Sequence, residues 1–168
     1  MEVFIIAAIS ANGMIGQGAE ESSLTWTSKE DLKFFIDKTK EAGAMIMGNS
    51  TFKTIGKPLP GRLMVVMTRD PKEKMGVEGE LIYTSDSPHE ILADLKMKGF
   101  DKVAIAGGTQ IYSLFLDAGL VTDLYLTVEP VLFGGGTPLL REMDRIDLEL
   151  IETKPVGTQA VLLHYQVK

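Results

Sequence analysis

Seven apolar runs bounded by turn-forming residues alternate with stretches whose apolar residues recur at helical spacing, and that alternation restricts the fold more than any other feature of the chain. The runs are Val3 to Ile9, Ala44 to Met47, Leu63 to Met67, Leu81 to Tyr83, Val103 to Ala106, Leu124 to Val128 and Val161 to Val167. Between them, Lys29 to Lys40 sets Leu32, Phe35 and Ile36 on one face, His89 to Lys98 does the same with Ile91, Leu92 and Leu95, and Ile111 to Leu116 forms a third helical stretch. Strands that are apolar throughout are buried on both faces, so the expected fold is α/β: a mixed, mostly parallel central sheet flanked by helices. No clear helix separates Leu124 to Val128 from Val161 to Val167, which leaves the C-terminal strand free to pair antiparallel.

The 168 residues carry no repeat, low-complexity tract or linker, so 1–168 reads as a single domain; Pro71 to Gly79 is loop-like but too short to divide it. No apolar run is long enough to cross a bilayer, and no membrane partner is expected. Met1 to Ile9 lacks a basic leader and continues into patterned sequence, which points to a buried strand and a cytoplasmic protein. With no cysteine and only His89 and His164, no metal site is expected. A net charge of −6 argues against nucleic acid, whose phosphates need clustered basic residues.

Four segments carry candidate chemistry. In Leu24-Thr-Trp26-Thr-Ser28-Lys-Glu-Asp31-Leu-Lys-Phe-Phe35, a helix beginning near Ser28 puts Asp31 in its first turn and Phe35 one turn later on the same face. Asp31 can serve there as the acid of a binding wall, or Ser28-x-x-Asp31 can act simply as a capping box. A strand then runs into Gly48, and the amides near Asn49, Ser50 and Thr51 open a short helix, which suits a phosphate but also describes an ordinary turn. The run Ile55-Gly-Lys-Pro-Leu59-Pro-Gly-Arg62 fixes an extended loop ending in one arginine, whose planar donors match a carboxylate. Lastly, Val103-Ala-Ile-Ala106-Gly107-Gly108-Thr109-Gln110-Ile111-Tyr112 joins a buried strand to a helix through two glycines, allowing close backbone approach to a ligand.

In order and spacing these segments resemble the dihydrofolate reductase family, as do Ala7-Ala8, Met14-Ile15-Gly16 and Leu124-Tyr-Leu-Thr127. The resemblance implies NADPH-dependent hydride transfer to C6 of 7,8-dihydrofolate, with protonation at N5. It implies catalytic roles for Asp31, Trp26 and Thr127, with Asp31 gripping the pterin edge and Thr127 bonded to Asp31. Ile6, Ala8, Leu24, Phe35, Ile55 and Leu59 would line the folate, and Arg62 would take its glutamate carboxylate. The cofactor would lie along Ala8, Ile15, Gly16, Gly48, Asn49, Ser50 and Thr51, then Met67, Thr68 and Arg69. Its pyrophosphate would meet Ala106 to Tyr112, with a cis peptide between Gly107 and Gly108. Water is the expected proton donor, because Asp31 sits at the far edge of the ring. Burial would raise the Asp31 pKa and a bond to the pterin would lower it, so its direction stays open.

The chain also departs from the family. Asn49 stands where many members carry an arginine for the NADPH 2′-phosphate, and Arg69, helped by Thr68 and Ser50, is expected to supply that charge. The loop Asn12 to Thr25 is longer and more acidic than in many relatives, with Glu20 and Glu21, which implies weaker closure. Leu132-Phe-Gly-Gly-Gly-Thr-Pro-Leu139 and Ser10-Ala-Asn-Gly13 resemble pyrimidine reductases of riboflavin synthesis, the alternative function; a non-catalytic nucleotide-binding module is a further one. A monomer and a homodimer both remain open, since Val131 to Phe133 and Leu139-Leu140 suit either a dimer face or core.

Overall fold

The computed structural model describes residues 1–18 and 21–168. Its main sheet has eight strands: β1 (Glu2–Ser10), β3 (Ala44–Gly48), β4 (Leu63–Met67), β5 (Leu81–Thr84), β6 (Lys102–Ile105), β7 (Asp123–Glu129), β9 (Leu148–Val156) and β10 (Ala160–Val167). They lie in the order β5-β4-β3-β6-β1-β7-β10-β9, and β2 (Met14–Gly16) pairs with β8 (Thr137–Pro138) in a separate ribbon. β5 through β7 are parallel, whereas β10 runs antiparallel to both β7 and β9, as the missing helix before the last strand led one to expect.

Alternation along the strands builds the core on both faces. Val3, Ile5 and Ala7 of β1 pack with residues of α3 (Pro88–Met97) and α4 (Thr109–Asp117), including Leu95 and Phe115. Phe4 and Ile6 point the other way, into a cluster with Met45, Met47, Ala42 of α1 (Lys29–Ala42) and Phe52 of α2 (Asn49–Ile55). A three-layer α/β fold results, with every strand predicted from the sequence in place.

Three strands escape the sequence reading. β9 is the sheet edge and eight of its nine residues are exposed, so it carries no buried alternation to mark it. β2 and β8 span only three and two residues, too few for a period. Of the segments open to a dimer face, Phe133 is buried and Leu139 and Leu140 pack on the core, while Leu132 is exposed. No helix among the described residues is long and apolar enough to cross a membrane.

Candidate active site

The site residues gather where the parallel strands end. After β1, the chain passes through α1 to β3 and on to β4 and β5, then returns to lay β6 between β3 and β1. Helices α2 and α4 therefore leave neighbouring strands in opposite directions, opening a crevice at the carboxyl edge, the usual ligand position in such sheets. Ala8, Gly48, Met67 to Arg69, Ala106 to Gly108 and Thr127 all lie along that edge.

On the β3–β6 side the backbone is pared to glycine. The Gly48 N–H donates to the Gly107 carbonyl at 2.8 Å, and Gly107 and Gly108 are joined by a cis peptide. A Cβ on Gly48 would lie 3.2 Å from Ile111 Cγ1, and one on Gly108 would lie 3.3 Å from Thr51 Oγ1. Helices α2 and α4 both start here without a side-chain cap. The first N–H groups of each helix are thus left to a ligand, and the two ends suit a pyrophosphate. Asn49, Ser50, Thr51, Thr109 and Gln110 sit on those first turns; Tyr112 is buried and donates its hydroxyl to the Ile6 carbonyl at 3.0 Å.

At the end of β4, Thr68 is held by a bond from its N–H to Thr84, and Arg69 is exposed, with no ion pair among the described residues. Ile15 and Gly16 lie on β2, whose partner strand follows Gly136; Gly136 (φ 153°) packs so tightly on the Gly16 carbonyl that no side chain fits. Glu21 braces the preceding loop, accepting from the Gln17 N–H at 2.9 Å and the Thr25 hydroxyl at 3.2 Å. Glu20 falls outside the described residues.

The second wall is α1 against β7. Ser28 caps the helix by accepting from the Asp31 N–H at 3.1 Å, but the Asp31 carboxylate does not return the bond. Glu129 Oε1 takes both Ser28 donors instead, the N–H at 2.8 Å and the hydroxyl at 2.7 Å. Asp31 is thereby released from the capping box that its spacing suggested. Asp31 is 8% exposed, with the side chain of buried Thr127 beside its carboxylate. Burial pushes its pKa up from 3.8 to about 6, against the pull of the Thr127 hydrogen bond and with a further push from the Glu129 charge. The pKa direction left open by the sequence is therefore upward in the free protein.

Trp26 stands on Phe133, ring centroids 5.3 Å apart at 89°, and its Nε1 is buried without a partner among the described residues. A buried N–H left unpaired costs about 1–3 kcal/mol, so this donor calls for a ligand oxygen or a water. Phe133, like Glu129, was not placed at the site from the sequence; a turn-flanked Phe between Leu132 and three glycines gives no local sign of a partner over a hundred positions away. Phe35, Ile55 and Leu59 join Ile6 in one apolar cluster. Leu24 is not in that cluster: it lies on a one-turn helix, Ser23–Thr25, and is 61% exposed.

Arg62 is 6% exposed and already engaged: Nε donates to the Pro60 carbonyl at 3.2 Å and Nη1 to Thr39 and, at 3.4 Å, to the Ile36 carbonyl. Desolvation lowers its pKa, and Nη2 remains without a partner among the described residues. The side chain is locked by α1, with one nitrogen in hand for an incoming anion. Among the described residues no group of three metal-ligating side chains occurs.

The chain and its fold have counterparts among known proteins. A protein of Bacillus subtilis (strain 168), YwjB, is 28% identical over 94% of this chain and 93% of its own length. The type 3 dihydrofolate reductase of Salmonella typhimurium is 33% identical over 82% of this chain and 77% of its own. Among solved structures, a riboflavin biosynthesis protein from Shewanella sp. PV-4 superposes with a TM-score of 0.83 at 21% identity, covering 100% of this chain and 99% of that one. Dihydrofolate reductase from Enterococcus faecalis, solved with NADP(H) and RAB-propyl, gives 0.74 at 25% identity over 99% and 96%. The dihydrofolate reductase family model matches residues 2–159, and the chain is an enzyme of the dihydrofolate reductase family of NADP-dependent oxidoreductases.

Proposed function

We propose that the protein reduces 7,8-dihydrofolate to 5,6,7,8-tetrahydrofolate with NADPH. The observation that carries this reading is the Asp31 wall: a buried acid in the first turn of α1, left out of the helix cap by Glu129 and set against Thr127, with Phe35 one turn further along the same helix and the unpartnered Trp26 Nε1 just before its start. Such an acid matches the paired N–H donors at one edge of a pterin, and the indole donor matches an oxygen or a water beside it.

Bound in the crevice, the nicotinamide would supply hydride and no proton. The chain's part is to place the substrate and manage charge. Asp31 orients the pterin and polarises it toward protonation, while Thr127 holds the carboxylate in place. A proton affinity near neutrality lets Asp31 favour a cationic ring without itself reaching N5, where water delivers the proton. Ile6, Phe35, Ile55 and Leu59 would border the pterin and aminobenzoyl rings; Ile6 is already buried, so the gain from covering apolar surface falls to the half-buried Phe35, Ile55 and Leu59. Arg62, preset by Thr39, would direct Nη2 to the glutamate carboxylate. For the cofactor, the uncapped ends of α2 and α4 and the glycines between them would hold the pyrophosphate, Ala8, Ile15 and Gly16 would border the nicotinamide, and Arg69 would meet the 2′-phosphate.

A second reading, reduction of a phosphoribosylamino-pyrimidine, is favoured by the closer superposition on the Shewanella protein and on a pyrimidine reductase-like protein from Corynebacterium diphtheriae, with a TM-score of 0.81. NADPH oxidation on adding dihydrofolate, together with tight binding of methotrexate, is expected. Absence of both, with turnover of the pyrimidine, would transfer the site to the second reading.

A further inference from the structure

The cap of α1 is assembled from two distant parts of the chain. In a local capping box the N-cap serine accepts from the N–H of the third helical residue, and that residue's carboxylate accepts from the serine in return. At α3 both halves are local: Ser87 donates its N–H (2.9 Å) and hydroxyl (2.6 Å) to one oxygen of Glu90. At α1 the same two donors of Ser28 converge on one oxygen of Glu129, which lies 101 positions away at the end of β7, opposite Ser10 of β1. Glu129 is buried, so its place is set by the sheet and not by chance exposure.

We propose that Glu129 is a positioning residue for Asp31: by filling the acid half of the α1 cap from β7, it keeps the Asp31 carboxylate off the helix end and turned to Thr127 and the crevice. It acts a second way, through charge. Asp31 is faced by Thr127 and Glu129 from β7 and by the Tyr112 hydroxyl from α4. Glu129 is the carboxylate in that set, and its negative charge disfavours ionisation of Asp31 alongside burial. The inference rests on Asp31 being the working acid of the proposed reduction, but its test does not need turnover.

The experiment follows the Asp31 carboxyl by carbon NMR across pH in the full chain, with Asp31→Asn to assign the signal, for the native protein, Glu129→Gln and Glu129→Ala. Gln keeps a carbonyl oxygen for both Ser28 donors and removes the charge, so the cap persists while the Asp31 midpoint falls below the native one. Ala removes the cap, and a crystal structure should show the Asp31 carboxylate swung onto the Ser28 N–H. If Ala does not fold, the Gln variant decides alone. An Asp31 midpoint unmoved in Glu129→Gln, or an Asp31 rotamer unmoved in Glu129→Ala, overturns the proposal. Failure of the native protein to reduce dihydrofolate, with both Asp31 responses present, would remove the folate reading and leave the positioning role standing.

Discussion

Ser28 and Ser87 each cap a helix whose third residue is acidic, yet only at α3 does that third residue return the bond. Glu90 is exposed and has no duty beyond its own helix, so the local box closes and its pKa is lowered by the bonds from Ser87. Asp31, buried against β7 and one methylene shorter, leaves Ser28 to Glu129 and keeps its carboxylate for the crevice. The other two helices form a second contrast, because α2 and α4 start on glycine with no side-chain cap at all. Helix ends that only stabilise are closed by their own residues; those at the site are left open or closed from elsewhere.

Replacing Asp31 by Asn should break this contrast most severely. Turnover of dihydrofolate with NADPH is expected to fall by about 100-fold or more, with NADPH affinity changed little, as measured by steady-state kinetics and fluorescence titration. Unchanged turnover would put Asp31 back among ordinary capping residues.

Stability should move in the opposite sense. The folded Asp31 pKa is raised from 3.8 to about 6, so the native state binds the proton more tightly than the unfolded chain between those values. Its contribution is present in full below about pH 4 and is lost as pH rises through about 6, amounting to about 3 kcal/mol at most. Asp31→Asn should remove this decline in urea-melt stability and leave the variant the more stable protein at neutral pH.

At the open helix ends, a methyl group should crowd Thr51 and, through it, the cofactor. Gly108→Ala, whose Cβ meets Thr51 Oγ1 at 3.3 Å, is expected to weaken NADPH binding about tenfold by calorimetry, equivalent to about 1.4 kcal/mol. The smallest effect belongs to α3, where Ser87→Ala should cost about 1 kcal/mol of stability and leave kcat and KM unchanged. A loss of activity there would show that the closed ends are not purely structural.

Most of the fold was legible in the chain because strand burial and helix periodicity are local signals: β1, β3, β4, β6 and β7 each announce themselves in a handful of residues. The edge strand β9 does not, since water on both faces imposes no alternation. Among the candidate site residues, Asp31, Trp26 and Arg62 stood out through their motifs, and Leu24, expected beside them, is largely exposed. Phe133 and Glu129 stayed hidden, lying in or beside a glycine-rich segment with nothing nearby in sequence to pair with.

The sequence by itself determined which residues face inward and that α1 begins at Ser28, because each depends on contacts within a few positions. Only the tertiary structure decided which acid completes the α1 cap, what Trp26 leans on and how many donors Arg62 has left. Those outcomes are set by residues brought together from distant parts of the chain, and their energies exist only once the sheet has placed them side by side.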